Sequence, residues 1–316
     1  VIMRQYLIKR ILALVPVLLI VGFVGFLLLN LIPGDPALVI LGPEATLDQV
    51  NKLRAELGLN LPIYLRLIYW YARLFRGDLG YSIFSSLPVL QAIFERLQPT
   101  LLLTTFSLII ASAIGITSGI VAALKRGTWI DQIATSLSIF GLSIPSFWLS
   151  LILIIMFGVW VRWFPVAGYE PLKNGFLKTL RTLALPSLTL GFVNSAFISR
   201  VTRSSMLEVM SQDYIKVARA KGLSYRKVIL KHALRNAILP IITVMGLTLG
   251  NLVSGAVVVE TIFALPGIGQ LALSSILRRD YPLTQGILLF TATVFVLVNL
   301  LVDILYAFLD PRIKYG

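Results

Sequence analysis

Side chains able to do chemistry are scarce in this 316-residue chain. His232 is the sole histidine and there is no cysteine, so no His–His metal pair, HExxH site, thiolate ligand, catalytic thiol or disulfide can be assembled from it. Serines and threonines are plentiful, but no GxSxG or Ser-x-x-Lys arrangement is placed to activate one as a nucleophile. There is no GxxxxGK[ST] segment, so the chain offers no phosphate-cradling loop for a nucleotide. Glu260, Asp280 and Asp303 stand at the ends of apolar runs, where water or lipid headgroups are expected to reach them. The runs themselves hold almost no ionisable group, which disfavours a proton relay. If such a chain moves solutes, the energy enters from outside it.

What remains is a concentration of positive charge. The stretch YIKVARAKGLSYRKVILKHALRNAILP, residues 214–240, carries seven Lys or Arg in a protein that is only 13% charged. It reads as two helices joined at Gly222, a natural helix stop, with Ser224 able to cap the second. In that second helix Tyr225, Val228, Ile229, Ala233 and Ala237 share a face, while Arg226, Lys227, Lys231 and Arg235 fall mostly elsewhere. Pro240 opens the next apolar run. His232 is expected to be a surface or contact residue rather than a base. Two readings stand: a helical hairpin that docks on a soluble partner, or a solvated basic loop that serves topology alone.

The elements that must position this stretch are apolar. The mean hydropathy is +0.89, with 57% hydrophobic residues, far from the roughly 45–50% of a soluble globule. A spanning helix needs ~20 mostly apolar residues. Six runs qualify or nearly do, predicting an all-α membrane protein with spans at about 8–32, 99–124, 132–161, 182–203, 238–259 and 283–305. They leave a long external loop, 33–98, and a loop at 206–237 that contains the basic stretch, all in one transmembrane domain covering 1–316. The first run, Ile11 to Ile32, follows Arg4, Lys9 and Arg10 but is too long for a signal-peptide core of roughly 7–15 residues, and no A-x-A-like site follows, so it is expected to stay as a helix.

Six spans put both termini on one side. With that side inside, the inner segments hold 16 of the 28 Lys and Arg, and six of the outer twelve lie in the long loop, where charge weighs little. Both termini and the basic stretch are therefore expected in the cytoplasm. The net charge of +14 is mostly this topological signal rather than a nucleic-acid footprint.

The external loop begins IPGDPA and then reads as short helices, one capped by Thr46 or Asp48 and ending before Gly58, one from Pro62 through Phe75, and one from Pro88 to Leu97. They are expected to lie in the headgroup region or to cap the bundle. Small residues recur at four-residue spacing at Ala111, Gly115 and Gly119, and at Gly246, Gly250 and Ser254, giving grooves for packing inside the bundle or for a subunit interface. Pro145 is expected to kink the third span or to mark re-entrant backbone.

ARAKGL…KHALRNAILP resembles the cytoplasmic coupling loop, the EAA loop, of ABC importer permeases, in the form used by the dipeptide, oligopeptide and nickel group. In the general pattern E-A-A-x-x-x-G, Ala218 takes the second alanine and Gly222 the glycine, while Lys216 and Val217 replace the Glu and first Ala. Further similar segments are IPGDP (32–36), GDLGYS (77–82), RVTRSSMLEV (200–209), ETIFALPGIG (260–269), RRDYP (278–282) and NLLVDILYAFLDPRI (299–313), so the resemblance covers nearly the whole chain. It implies a pore-forming inner-membrane permease that is not itself an enzyme. A second permease, a paralogue in most such systems, would complete the pore. Two cytoplasmic ATPases would bind the ATP, with no cofactor in this chain, and an external solute-binding protein would deliver di- or oligopeptides. Nickel, glutathione or another small solute are alternative cargoes, and an ion-coupled carrier or a pore-less scaffold are readings of another class. By the same resemblance Ala218, Arg219, Ala220, Lys221 and Gly222 would contact the ATPase, and Gly222→Asp would abolish transport while leaving insertion intact.

Overall fold

The computed structural model describes residues 2–31, 35–42, 44–56 and 58–309, and no β-strand occurs among them. The chain divides into two compact units, Val1–Gln98 with Gly267–Val296, and Pro99–Pro266 with Leu297–Gly316.

In the first unit, α1 (Ile2–Leu31) is a long apolar helix whose described apolar stretch is Leu12–Leu28. Asp35 caps α2 (Pro36–Leu41) by accepting from the Ala37 amide at 3.0 Å, and it pairs with Arg54 of α3 (Leu47–Glu56). Thr46 and Gln49 close a reciprocal capping box at the start of α3, which explains why that helix begins where the sequence predicts. The first three residues of the IPGDP motif lie outside the described residues. α4 (Ile63–Leu74) buries none of its residues. Its Tyr71 hydroxyl donates to the Leu19 carbonyl of α1 at 2.6 Å. The core of this unit is built from Val89 and Ile93 of α5 (Val89–Leu124), Ile268 of α13 (Ile268–Leu277), and Leu283 and Ile287 of α14 (Tyr281–Leu309).

The sequence predicts a separate external helix at 88–97 followed by a span. The structure joins them into the single helix α5, which runs through Pro99. A proline costs one i→i−4 hydrogen bond but does not end a helix that is held on both sides.

In the second unit, α6 (Trp129–Ser143) and α7 (Ser146–Leu153, continued by a π-helical turn Ile154–Trp160) meet at 103°. Pro145 is the cause: Ile144 before it is extended at φ −77°, ψ 124°, as a pre-proline residue prefers. α8 (Phe176–Met210) runs through Pro186. α9 (Asp213–Ala220) and α10 (Tyr225–Lys227) follow, then a π-helical turn Val228–Ala233 and α11 (Leu234–Gly255). Pro240 does not open a new helix as the sequence suggests. It sits inside one continuous apolar helix, Tyr225–Val253, that includes the second half of the basic stretch. α12 (Val257–Ile262) ends the main run.

Among the described residues, four helices are long and apolar enough to cross a membrane: Val89–Leu124, Phe176–Met210, Tyr225–Val253 and Tyr281–Leu305. The bent pair α6–α7 makes a fifth if counted as one span.

The predicted small-residue grooves face helices of the same chain. A Cβ on Gly115 would stand 2.7 Å from Ile198 Cβ, and one on Gly119 2.6 Å from the Ser199 carbonyl oxygen, both on α8. Ala111 is buried with Ile198 and Val244. Gly246 is pressed against Val302, and Gly250, one turn on, is buried as well. The Ser254 side chain lies outside the described residues.

Two acids depart from expectation. Glu260 and Asp280 are not at wetted helix ends: they are 0% and 1% exposed. Thr100 donates to Glu260 Oε1 at 2.7 Å, and Ser82 to Asp280 Oδ2 at 2.6 Å. Asp280 also caps α14, accepting from the Leu283 amide at 3.2 Å. Protein donors have replaced water around both carboxyl groups.

Candidate functional site

The basic stretch forms a hairpin with an apolar root and a polar tip. Ile215 and Ala218 of α9 pack with Val228, Ile229, Ala233 and Ala237 from the returning helix. Ala123 near the end of α5 and Met206 near the end of α8 complete that cluster. Four of the five residues predicted for the apolar face, Val228, Ile229, Ala233 and Ala237, are buried. Tyr225 is not. Its exposed ring instead lies 5.9 Å from the Arg219 guanidinium, a cation–π distance across the tip.

The turn between the helices has a definite geometry. Gly222 sits at φ +74°, its amide donating to the Arg219 carbonyl at 3.0 Å and the Leu223 amide to the Ala218 carbonyl at 3.4 Å. These two bonds make a Schellman stop, which satisfies the last carbonyls of α9. A Cβ on Gly222 would meet nothing within 4 Å, so its backbone conformation, not space within this chain, calls for glycine. Ser224 occupies the cap position of α10 but makes no side-chain cap bond.

The residues predicted for the partner surface are brought together at this tip, and they differ in exposure. Arg219, Ala220, Lys221 and Gly222 are exposed, whereas Ala218 is 7% exposed and turned into the root cluster. Ala218 seats the hairpin; a larger side chain there would collide with the cluster that holds α9 down. Tyr214, Val217, Leu223 and Leu230 of the same hairpin are exposed as well. Burial pushes the Tyr214 phenol up, and its hydrogen bond with Asn236 pulls it back. His232 is half-buried, and its carbonyl accepts from the Asn236 side chain at 2.7 Å. No group of three or more potential metal ligands occurs among the described residues.

Sequence reasoning missed an ion pair beside this root. Arg203 of α8 holds Asp131 of α6 through two bonds of 2.7 and 2.9 Å, and Asp131 also accepts from the Gly127 amide at 3.0 Å. Only the isolated position of Asp131 as the single acid in the 125–131 segment hinted at it.

The model of the binding-protein-dependent transport system inner membrane component family matches residues 115–315, and that of the N-terminal part of such membrane components matches 3–104. The chain belongs to this family. The permease is 46% identical over 313 residues to a Brucella abortus permease protein assigned to a peptide transport system, covering 99% of this chain and all of the relative. It is 42% identical, over the same extent, to the glutathione transport system permease protein GsiC of Escherichia coli. Among solved structures, chains of the MetNI methionine ABC transporter in inward-facing conformations share its fold. In two crystal forms the TM-scores are 0.58 and 0.59 at 20% and 18% identity, covering 70% of this permease and 97% of the other chain. The permease is thus an inner-membrane component of a binding-protein-dependent transport system, and its long apolar helices suit a membrane protein.

Proposed function

We propose that this permease moves short peptides inward through a pore that it forms with a second permease, driven by ATP hydrolysed on two cytoplasmic ATPases. The observation that carries the reading is the hairpin: a rigid, Schellman-stopped tip of exposed basic and apolar side chains on a buried root shared by α5, α8 and α11. An ordered apolar patch among charges is what a protein partner docks on, whereas a loop serving topology alone needs no buried root. Arg219, Ala220, Lys221 and Gly222 would touch the ATPase, and the displaced root would pass its motion to the spanning helices. ATP then binds on the partner, and this chain contributes no cofactor of its own.

In this reading α1 is the sixth span, both termini face the cytoplasm, and the 33–98 region meets an external solute-binding protein. Peptides are the cargo favoured by the relatives, one assigned to peptide transport and the other named for glutathione, itself a tripeptide. The test is a mild-detergent pull-down from native membranes with the co-purifying chains identified by mass spectrometry. Recovery of a second permease, ATPases and a solute-binding protein supports the assembly, and the ligand of that binding protein names the cargo. A chain that transports alone in vesicles overturns it.

A further inference from the structure

In the first unit a cavity of about 210 Å³ opens between α4 and the start of α14. Its polar lining is rich in donors, the side chains of Arg66, Arg73, Tyr69, Tyr281 and Gln285, with no carboxylate. Arg73 is already matched, since its Nε donates to Asp78 Oδ2 at 2.9 Å. Arg66 has no acid partner among the described residues, and burial works against its charge, lowering its pKa. Gln285 is only 8% exposed, yet its side chain makes no hydrogen bond to any described residue. A buried amide and a half-buried cation without partners, aimed into one cavity, call for a ligand with acceptor oxygens.

The surroundings indicate which one. α4 buries no residue and leaves Ile63, Tyr64, Ile68 and Tyr69 exposed, although Trp70 packs on Gly22 and Phe26 of the apolar helix α1. An amphipathic, aromatic-rich helix laid along a spanning helix belongs at the lipid headgroup level. Arg66 therefore meets the membrane surface, with apolar side chains beside it for the acyl region. After Arg73 and Asp78 cancel, the cavity carries one net positive charge, which complements a headgroup of net charge −1. A peptide carboxylate offers similar oxygens, but much of the remaining wall is apolar, Leu59, Leu61, Ile83 and Trp70, which suits acyl chains better than a peptide backbone.

We propose that this cavity binds the headgroup of one anionic phospholipid, its phosphate on Arg66 and Gln285, and that the bound lipid fixes α4 against α1. The site is independent of the cargo and of the ATPase hairpin.

The test uses the full-length permease in nanodiscs of phosphatidylcholine, to which phosphatidylglycerol is added in steps while amide exchange over residues 63–74 is followed. Saturable slowing by phosphatidylglycerol is expected, with its midpoint weakened about tenfold in Arg66→Gln, the loss of one charge-assisted hydrogen bond, and partly restored in Arg66→Lys. Absence of saturable slowing in the wild type overturns the proposal, as does an unchanged midpoint in a folded Arg66→Gln. Slowing that soluble dialanine competes away reassigns the cavity to substrate. If Arg66→Gln does not fold, the wild-type titration and the dialanine competition decide between these outcomes.

Discussion

Arg203 grips Asp131 with both ends of its guanidinium fork, Nε to Oδ1 at 2.7 Å and Nη2 to Oδ2 at 2.9 Å. The pair fastens the first turn of α6 to α8, one turn before Met206 enters the hairpin root. Any displacement of the root along α8 therefore reaches α6 through this bond as well as through side-chain packing. Asp131 is buried whereas Arg203 is about one-third exposed, so the two members should respond differently to mutation.

Removing the cation leaves a buried carboxylate short of two donors. Arg203→Gln is expected to lower stability by about 1–3 kcal/mol, below the range for a fully buried pair because Arg203 is partly wetted. Asp131→Asn should cost less, since its amide oxygen can still accept from Gly127. Thermal unfolding of the purified variants checks this, and a coupling energy near zero in the double mutant would show that the fork contributes no stability.

Gly222 permits a separation of turn from surface. Its φ of +74° makes Gly222→Ala cost about 1 kcal/mol of backbone strain with no clash, and Asn, which tolerates this region, should cost less. Gly222→Asp adds a charge at the tip. Transport is expected to fall little in the Asn variant and to vanish in the Asp variant, with equal membrane insertion in both. Normal uptake by Gly222→Asp would remove the tip from the coupling surface.

Much of this hairpin was legible because its signals are local. The stop at Gly222 and the i, i+3, i+4 face from Val228 to Ala237 each need only neighbours in sequence, and so, elsewhere, does a cap at Thr46 or Asp48. The burial of two acids on hydroxyl donors was not legible. Glu260 and Thr100 are 160 residues apart, Asp280 and Ser82 198, and no spacing rule links them, so an acid at the end of an apolar run reads as wetted. Continuity through Pro99 and Pro240 was hidden for a related reason. Proline marks a break in an isolated helix, but packing on both sides can carry a helix through the lost hydrogen bond. The burial of Ala218 sits between these cases: it lies three residues after Ile215 on one face, but which face is inward depends on Met206 and Ala123.

The α5–α8 approach depends on absent side chains. At Gly119 a Cβ would press on backbone, the Ser199 carbonyl, as well as on Thr202 at 2.6 Å, and neither helix can yield locally. Gly119→Ala is expected to destabilise by about 1–3 kcal/mol, as overpacking does. Gly127→Ala on the nearby turn meets nothing within 4 Å and should show only the strain of its φ of +78°. Detergent thermostability of the two variants ranks them, and equal values would show that α5 and α8 can part without loss.

Asp78 ties the GDLGYS turn to α4. The Arg73 guanidinium and then the Gly80 amide hold its carboxyl below its ordinary value. A depressed folded-state value means that the contribution is complete above the unfolded carboxylate range and is lost as pH falls through the folded value. The stability difference between wild type and Asp78→Asn should therefore be present at neutral pH and disappear in acid. Because Asp78 is half-exposed, the difference should be small and should shrink with added salt. A difference that does not change with pH would show that the carboxylate charge is not what holds the turn.

Glu260 poses the harder question of why a membrane domain keeps a fully buried acid. Its Oε1 accepts from Thr100 at 2.7 Å, and its backbone carbonyl accepts from the Leu265 amide at 2.8 Å, closing the turn after α12. Leu265 and Phe263 of that turn are both in the main core cluster with Leu103, Leu183 and Leu252. If the carboxyl group serves to seat this turn, shape and acceptor capacity matter more than charge. Glu260→Gln, which keeps the shape and the oxygen that accepts from Thr100, should then stay within about 1 kcal/mol of wild type, whereas Glu260→Ala should lose about 2–4 kcal/mol through a cavity and the loss of the Thr100 bond. Thr100→Val in the Glu260→Ala background should cost less than in wild type, because its partner is already gone. Thermal unfolding of the four variants resolves the cycle. A Glu260→Gln protein that is stable but fails to transport would show instead that the negative charge acts in the transport cycle itself.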